Sequence, residues 1–294
     1  DFCPNSGFTK DGVESLRRNC FMMGRERKAM PDLPEVETVV RGLRGPLTGR
    51  TFTGVTVTWP NAIRTPIPEL QRRLPGQRIE AITRRGKYLQ FHLSGGDTLV
   101  LHLKMSGDLL VEPATEPLHP HVRTIFDLDN GHQLRFKDMR KFARVYLVDD
   151  PDQVVGKLGP EPLGDSFTVA DFKALFRRRS GRLKPLLLNQ EFLAGVGNIY
   201  ADESCHLAQI DPRRQVATLT DAELERLYHA IRQALNAGIM YKGASLDEIY
   251  RGGEFQDHFQ VYGRTGQPCL TCGREIQRIV LGGRSTHFCS ECQK

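Results

Sequence analysis

Four cysteines near the carboxyl end of the chain are spaced as ligands of a metal ion. They form two close pairs, Cys269 with Cys272 and Cys289 with Cys292, and sixteen residues separate the pairs. Four thiolates presented from two tight turns can surround one Zn²⁺ tetrahedrally, and they leave no open position for a substrate. The spacing therefore predicts one structural zinc ion rather than a catalytic one, and no pattern in the sequence predicts an organic cofactor.

An arginine lies between the two cysteine pairs, in the run Gly282-Gly283-Arg284-Ser285-Thr286-His287. The two glycines predict the tip of a hairpin. An arginine at this place can reach a phosphate with its planar, forked guanidinium group, although an arginine at a hairpin tip is commonly only solvated. The other cysteines, Cys3, Cys20 and Cys205, are scattered, and the odd total of seven does not favour a disulfide scaffold.

The charge balance favours a polyanionic partner. The formal net charge is +6 and the isoelectric point is near 9.0, and lysines and arginines that neutralise phosphates dominate nucleic-acid affinity. The longest apolar stretches, such as residues 99–103, are far shorter than the roughly 20 residues of a membrane span. The segment around Met22 is charged and has no apolar core, so it does not resemble a secretory signal. We therefore expect a cytoplasmic protein that is not bound to a membrane.

The hydrophobic pattern predicts an α+β protein. Residues 1–29 have little period and are expected to be a loosely structured extension or a translation artefact. A helix is predicted from Pro34, whose apolar residues recur at helical spacing, to about Gly49. Short β-rich runs follow, at 51–59, 88–93, 98–103, 122–128, 133–136 and 143–147. After a proline-rich linker at 159–165, helical periods are predicted at 169–178, 184–193 and 221–237, the last behind a Thr220 cap.

Five motifs in this order make the chain resemble the formamidopyrimidine-DNA glycosylase family (8-oxoguanine DNA glycosylases with abasic-site lyase activity). The resemblance covers residues 30–294. Its motifs are Met30-Pro31-Asp32-Leu33-Pro34-Glu35-Val36-Glu37-Thr38, Arg84-Arg85-Gly86-Lys87-Tyr88-Leu89, His102-Leu103-Lys104-Met105-Ser106-Gly107, Gly195-Val196-Gly197-Asn198-Ile199-Tyr200-Ala201-Asp202-Glu203 and the cysteine hairpin.

The resemblance implies a domain plan and a partner. It implies a catalytic β-sandwich domain with a flanking helix at 30–158, a helical helix–two-turn–helix domain at 159–260 and a β-hairpin zinc finger at 261–294. Damaged double-stranded DNA is the implied partner of a monomeric, bacterial enzyme that works at the nucleoid. The implied reaction is removal of oxidised purines followed by strand cleavage through β- and δ-elimination.

The resemblance makes Pro31 the nucleophile, through a Schiff base on its nitrogen. A chain-terminal amine has a pKa near 8, so about a tenth of it is neutral at pH 7. In the printed sequence, however, Pro31 follows Met30, and an amide nitrogen is not nucleophilic. We therefore expect Pro31 to be the true first residue of the working protein, with residues 1–30 absent or removed.

The resemblance also implies the remaining site residues. Asp32 stands where the family has the glutamate that assists ring opening and proton transfer, and the shorter side chain puts the geometry of that step in question. Lys87 and Arg284 take part in the elimination steps, for which we expect Arg284 to act only electrostatically. Glu35 matches a supporting carboxylate, and Glu203 matches one that anchors a turn. Phosphate contacts are implied for His119, Arg140, Arg179, Lys184 and Asn198.

Three residues match the wedge that fills the gap left by a flipped nucleotide. They are Met105, Arg140 and Phe142, and an inserted apolar or planar side chain offsets part of the few kcal/mol that base extrusion costs.

Three other functions stay open at this point. The lesion-reading segment from Tyr241 to Gln256 is short, so a relative resembling endonuclease VIII, which removes oxidised pyrimidines, is the alternative enzyme; Leu33 and the wedge residues favour the purine enzyme. A chain whose Pro31 stays blocked would be a non-catalytic, lesion-binding zinc-finger protein. A structural nucleoprotein without lesion preference is the third possibility, which the wedge argues against.

Overall fold

The computed structural model describes residues 30–177, 179–245 and 252–294. The predicted extension at 1–29 therefore lies outside the described residues, as does part of the segment expected to read the lesion. Within the described part of the chain, no helix has both the length and the apolar character needed to cross a membrane.

Two antiparallel sheets of four strands pack against each other in the first half of the chain. The first sheet has the order β1 (Phe52–Val57), β6 (Val122–Leu128), β7 (His132–Asp138) and β5 (Gly107–Pro113). The second has the order β2 (Ile79–Arg85), β3 (Tyr88–Leu93), β4 (Thr98–His102) and β8 (Arg144–Val148). Phe52 and Phe126 of the first sheet and Phe91 of the second belong to one buried core, which confirms the predicted sandwich.

Two strands, β2 and β5, were not predicted from the sequence. Strand β2 buries only Ile79 and Ile82, which are three residues apart rather than two, and β5 buries only Gly107 and Leu109. The alternation of polar and apolar residues that identifies a half-buried strand is therefore weak in both. The short helix α2 (Ile67–Arg73) was not predicted either.

The first helix, α1 (Leu33–Leu47), connects the two halves of the molecule. Asp32 is the N-cap residue of this helix. Its N–H donates to Oε2 of Glu35 at 3.0 Å, which satisfies one of the free donors at a helix start. Leu33 packs into the core of the helical region, whereas Val36 and the later apolar residues pack into the sandwich. Helix α1 therefore fixes residues 31 and 32 at the junction between the two cores.

The second half is helical. Its helices are α3 (Asp152–Val155), α4 (Val169–Phe176), α5 (Leu183–Leu187), α6 (Asn198–Leu207) and α7 (Asp221–Met240). Thr220 caps α7 as predicted, accepting a hydrogen bond from the N–H of Glu223.

The helix predicted over 184–193 ends at Leu187. The Asn189 side chain accepts from the N–H of Glu191 at 2.9 Å, a local turn that competes with the helix. Helix α6 escaped prediction because all eight residues from Ile199 to His206 are buried, which leaves no amphipathic period.

A two-stranded hairpin ends the chain. Strands β9 (Gln277–Leu281) and β10 (Arg284–Phe288) pair antiparallel with Arg284 opposite Leu281. Gly282 and Gly283 both have positive φ, at 58° and 74°, the backbone that a two-residue hairpin turn demands. The predicted hairpin tip is therefore confirmed.

Candidate active site

A cleft of about 540 Å³ lies where the sandwich, α6 and the hairpin meet. Of the residues singled out from the sequence, it brings together Asp32, Lys87, Met105, Asn198 and Arg284. Met30 lines it as well, and Pro31 between Met30 and Asp32 is half-buried. Residues from five separate segments of the chain thus face one space.

A buried ion pair stands next to Pro31. The Lys87 ammonium lies 2.8 Å from Oδ1 of Asp32, and both side chains are at most 4% exposed. Burial raises the pKa of the Asp32 carboxyl above its ordinary value, while the positive charges of Lys87 and Arg284 oppose that rise. The second carboxylate oxygen of Asp32 is buried and has no hydrogen-bond partner among the described residues. This carboxyl is therefore equipped to take up and release a proton.

The Asp32 carboxylate lies directly against the backbone at the start of α6. A methyl group placed on Gly197 would be 1.8 Å from Oδ1 of Asp32 and 2.2 Å from its Cγ. No two non-bonded atoms approach so closely, so only glycine fits at position 197. The motif Gly195-Val196-Gly197-Asn198 therefore contributes a close backbone approach to the site.

Glu35 lies in a buried network beside Asp32. Its Oε1 accepts hydrogen bonds from the Tyr200 hydroxyl at 2.7 Å and from the Ala244 N–H at 2.8 Å. Burial raises the pKa of Glu35 to about 7, and the charge of Asp32 adds to the rise, whereas the two hydrogen bonds oppose it. Glu35 thus holds together α1, α6 and the segment after α7.

We expect Glu35 to make the fold less stable as pH rises from about 5 to about 8. Its pKa is about 7 in the folded protein and 4.5 in a free chain, so the folded state keeps a proton that the unfolded state has lost. This contribution to the free energy of unfolding is complete below the pKa of the unfolded chain and is lost as the pH rises past the pKa of the folded protein. The total loss is up to about 3 kcal/mol. Urea unfolding at several pH values measures it.

The comparison that isolates this effect uses Glu35→Gln, which cannot ionise. The unfolding free energy of the unmodified protein should decline with pH relative to that of Glu35→Gln. Glu80→Gln, at a strand residue whose side chain is 52% exposed, is the matched control and should track the unmodified protein. A constant difference between Glu35→Gln and the unmodified protein across the range contradicts the prediction.

The hairpin tip is anchored to α5 and α6 by buried polar contacts. The Lys184 ammonium donates to the Ser285 carbonyl at 2.6 Å and lies 2.6 Å from Oδ1 of Asp202. The N–H of His287 donates to Oδ2 of the same aspartate at 2.9 Å. The Asn198 amide donates to the Ser285 hydroxyl at 3.2 Å. These contacts fix the residue next to Ser285, which is Arg284, at the cleft.

The position of Lys184 in the fold does not suit the phosphate contact that was expected of it. Its side chain is 0% exposed, whereas a phosphate contact requires a cation that faces solvent. Lys184 is therefore better described as a positioning residue that acts on the cleft through Ser285. Asp202, which the sequence did not single out, supplies the compensating charge without which a buried lysine would be costly.

Glu203 has the anchoring position expected of it. Its two carboxylate oxygens accept the backbone N–H groups of Gln260, Val261 and Tyr262 at 2.8–3.0 Å. Burial raises the pKa of this carboxyl, and the three backbone donors oppose that rise. Glu203 thereby ties α6 to the segment that enters the zinc hairpin.

The remaining predicted residues lie outside the cleft lining. Phe142 is 45% exposed, and the Arg140 guanidinium lies 5.3 Å from its ring centroid. The His119 ring is 2.8 Å from Glu112, and exposed Arg179 lies 5.7 Å from the Phe192 ring. All four side chains are exposed to solvent outside the cleft.

The four hairpin cysteines fit one tetrahedral metal ion. Their sulfur atoms all lie within 4.8 Å of one another, and the edge of a zinc–thiolate tetrahedron is about 3.8 Å for bonds of about 2.3 Å. Nε2 of His206 on α6 lies 3.6 Å from Sγ of Cys269, outside the cluster of four. These cysteines would hold a zinc ion, whose role is to fold the hairpin that carries Arg284.

Several cleft residues carried no signal in the sequence. Those that line the cleft are Leu188, Gln190, Tyr262, Arg278 and Val280. They belong to turns and strands whose residue types are ordinary for such places, and only the tertiary fold brings them to the site.

Comparisons with known proteins match nearly the whole described chain. The N-terminal domain model of formamidopyrimidine-DNA glycosylase matches residues 30–145, its H2TH domain model matches 158–249, and the model of the zinc finger found in FPG and IleRS matches 266–294. The formamidopyrimidine-DNA glycosylase of Pelotomaculum thermopropionicum is 46% identical over 274 residues, covering 90% of this chain and 99% of the relative. That of Herpetosiphon aurantiacus is 46% identical over 272 residues, covering 90% and 100%.

Solved structures of the Lactococcus lactis protein have the same fold. Its complex with DNA that contains an abasic site has a TM-score of 0.84 at 35% identity and covers 90% of this chain and 99% of that one. Its complex with DNA that contains Fapy-dG gives a TM-score of 0.84 at 35% identity and covers 90% and 100%.

Proposed function

Because the chain belongs to the formamidopyrimidine-DNA glycosylase family, we propose that it excises oxidised purines from duplex DNA and cuts the strand with Pro31 as nucleophile. The observation that carries the assignment of roles is the buried Asp32–Lys87 pair, which lies beside Pro31 and lines the same cleft as Arg284. Bacterial relatives and a chromosomal substrate favour a cytoplasmic enzyme that works at the nucleoid.

The reaction begins with the nitrogen lone pair of Pro31. With a free amine at Pro31, the nitrogen attacks C1′ of the damaged nucleotide, and the electron pair of the glycosidic bond leaves with the base. Loss of the N–H proton leaves a neutral aminal at C1′. The nitrogen lone pair then expels the ring oxygen O4′, which takes up a proton as the C1′–O4′ bond breaks, and an iminium linked to the opened sugar results. The iminium acidifies C2′, so loss of the C2′ proton breaks the C3′–O bond. A second elimination then breaks the C5′–O bond.

Asp32 transfers the protons of these reaction steps, and Lys87 supports it. A carboxyl whose pKa is raised by burial can protonate the ring oxygen as the sugar opens and can later accept a proton, which is general acid and base catalysis. Lys87 keeps the carboxylate oriented and adds a positive charge near the departing phosphates. We assign this role to Asp32 although its side chain is one methylene shorter than glutamate, because its carboxylate lines the cleft and packs against Gly197.

Arg284 and the wedge residues account for the preference for DNA. The arginine lines the same cleft as Asp32 and Lys87 and stabilises negative charge on phosphates without transferring a proton. Met105, Arg140 and Phe142 fill the space left by the flipped nucleotide, and His119, Arg179 and Asn198 hold the backbone. The zinc hairpin carries Arg284 and takes no part in the chemistry.

The test compares three duplexes that carry 8-oxoguanine, thymine glycol or no damage. We expect single-turnover excision and strand cleavage of the 8-oxoguanine duplex to be at least about tenfold faster than of the thymine glycol duplex, and no cleavage of the undamaged one. Faster cleavage of thymine glycol would instead support the pyrimidine enzyme. Binding to damaged DNA without cleavage would support the lesion-binding protein, and equal affinity for all three duplexes would support a structural nucleoprotein.

A further inference from the structure

The wedge residues lie on two separate turns that share one buried contact. Met105 lies on the turn between β4 and β5, and Arg140 and Phe142 lie on the turn between β7 and β8. Asp138 and Ser106, which are 1% and 2% exposed, meet between these turns. The Ser106 hydroxyl donates to Oδ1 of Asp138. We call Asp138 and Ser106 the clasp.

The clasp also binds the backbone on both sides of the wedge. The N–H of Arg140 lies 3.0 Å from the Ser106 hydroxyl and 3.1 Å from Oδ1 of Asp138. The N–H of Ala143 donates to Oδ2 of Asp138 at 2.7 Å. Both carboxylate oxygens are therefore used, and they enclose the segment that presents Arg140 and Phe142.

Both turns contain a backbone conformation that needs such support. Lys104, next to Met105, has φ 54°, and Lys141, between Arg140 and Phe142, has φ 61°. A left-handed residue other than glycine costs on the order of 1 kcal/mol and persists where its surroundings hold it. Hydrogen bonds that backbone N–H groups donate to a buried carboxylate are the kind of contact that offsets this cost.

We propose that Asp138 is a positioning residue for base extrusion: with Ser106 it locks the Met105 turn and the Arg140–Phe142 turn into one preformed wedge. This inference rests on the proposed function. Without the clasp the two turns would move independently, and the wedge would have to be ordered at the moment of insertion. The free energy spent on this ordering would lower the affinity of the enzyme for DNA with the base extruded. It would leave the rate of the chemical steps at Pro31 unchanged.

The test separates extrusion from chemistry by using two substrates. An 8-oxoguanine duplex requires the damaged base to be flipped, whereas a duplex with a preformed abasic site has no base to extract from the stack. We expect Asp138→Asn, which keeps the shape but can accept on one side only, to slow single-turnover excision of 8-oxoguanine by about a hundredfold. Strand cleavage at the abasic site should slow by less than about threefold.

Three further variants make the comparison specific. Ser106→Ala, which deletes the hydroxyl, should show the same split between substrates, and Ser106→Thr, which keeps it, should restore excision. Asp97→Asn is the matched control. Asp97 is another buried aspartate of the sandwich, and it accepts hydrogen bonds from Arg73 and Gln77 at a place outside the cleft lining. It should lower the unfolding temperature without changing the ratio of the two rates.

The only tryptophan of the sequence gives a second readout. The Lys141 ammonium lies 4.0 Å from the Trp59 ring centroid, so a displaced wedge changes the environment of that ring. Asp138→Asn and Ser106→Ala should increase acrylamide quenching of Trp59 emission, and Asp97→Asn should not.

The inference is overturned if the clasp variants slow both substrates equally, or if they leave excision of 8-oxoguanine unchanged. Should Asp138→Asn not fold, Ser106→Ala decides on the same criteria. Failure of the unmodified enzyme to act on either duplex would contradict the proposed function instead, and the Trp59 measurement would still report on the clasp.

Discussion

A protein that begins at Pro31 is expected to become covalently linked to 8-oxoguanine DNA in the presence of borohydride, whereas one that keeps Met30 is expected to form no adduct. The reduced iminium captures the amine that attacked C1′, and an amide nitrogen cannot form it. Retained Met30 also lies in the cleft lining, where it would occupy space near the sugar. The expected loss is at least about a thousandfold in adduct yield.

The experiment needs two comparisons. Affinity of both forms for a duplex with a stable abasic analogue, measured by fluorescence anisotropy, shows whether Met30 blocks binding or only chemistry. Pro31→Gly at the first position retains a terminal amine and should still form the adduct, more slowly. A Met30-containing protein that is trapped efficiently, with the adduct mapped to Lys87, would transfer the nucleophile to that lysine and overturn the assignment.

Gly197→Ala is expected to abolish most of the excision activity through Asp32. The added methyl group would lie 1.8 Å from Oδ1 of Asp32, so the carboxylate must leave its place beside Lys87. Displacing a catalytic group by about 1 Å costs roughly a hundredfold in rate. Overpacking of this kind also destabilises a fold by about 1–3 kcal/mol. Single-turnover excision and thermal unfolding measure the two effects.

The matched control is Gly42→Ala. Gly42 is an exposed residue of α1, and a methyl group there meets nothing within 4 Å. Alanine in a helix interior is better than glycine by about 1 kcal/mol, so this variant should be slightly more stable and fully active. Unchanged excision by Gly197→Ala would show that the position of the Asp32 carboxylate does not matter for the reaction.

The zinc hairpin and the approximate order of strands and helices could be predicted because their signals are local. The cysteine spacing fixes the metal ligands, two adjacent glycines fix the hairpin turn, and Thr220 marks the start of α7. The predictions failed where local patterns are weak, at strands β2 and β5 and at the buried helix α6. Tertiary environment rather than local preference decides the conformation of such segments.

The sequence allowed the main residues of the site to be predicted, but not the hydrogen bonds and ion pairs that hold them. The resemblance supplied Asp32, Lys87 and Arg284, and the cleft contains all three. It supplied no sign that Tyr200 donates to Glu35 across 165 positions of sequence, because a single hydrogen bond leaves no periodicity. The charge of Lys184 suggested a contact at the surface. In the structure its side chain is buried and pairs with Asp202.

The bonds from α6 to the hairpin affect how the protein loses its structure. Glu203 accepts the N–H groups of three residues before the hairpin, and Asp202 accepts the N–H of His287 inside it. Those four amides can exchange their hydrogens with water only when the hairpin separates from α6 or when α6 itself opens. The hairpin and the helical core should therefore behave as one cooperative unit in hydrogen exchange. Oxidation of a single cysteine ligand would then weaken a helix that contains none of the ligands.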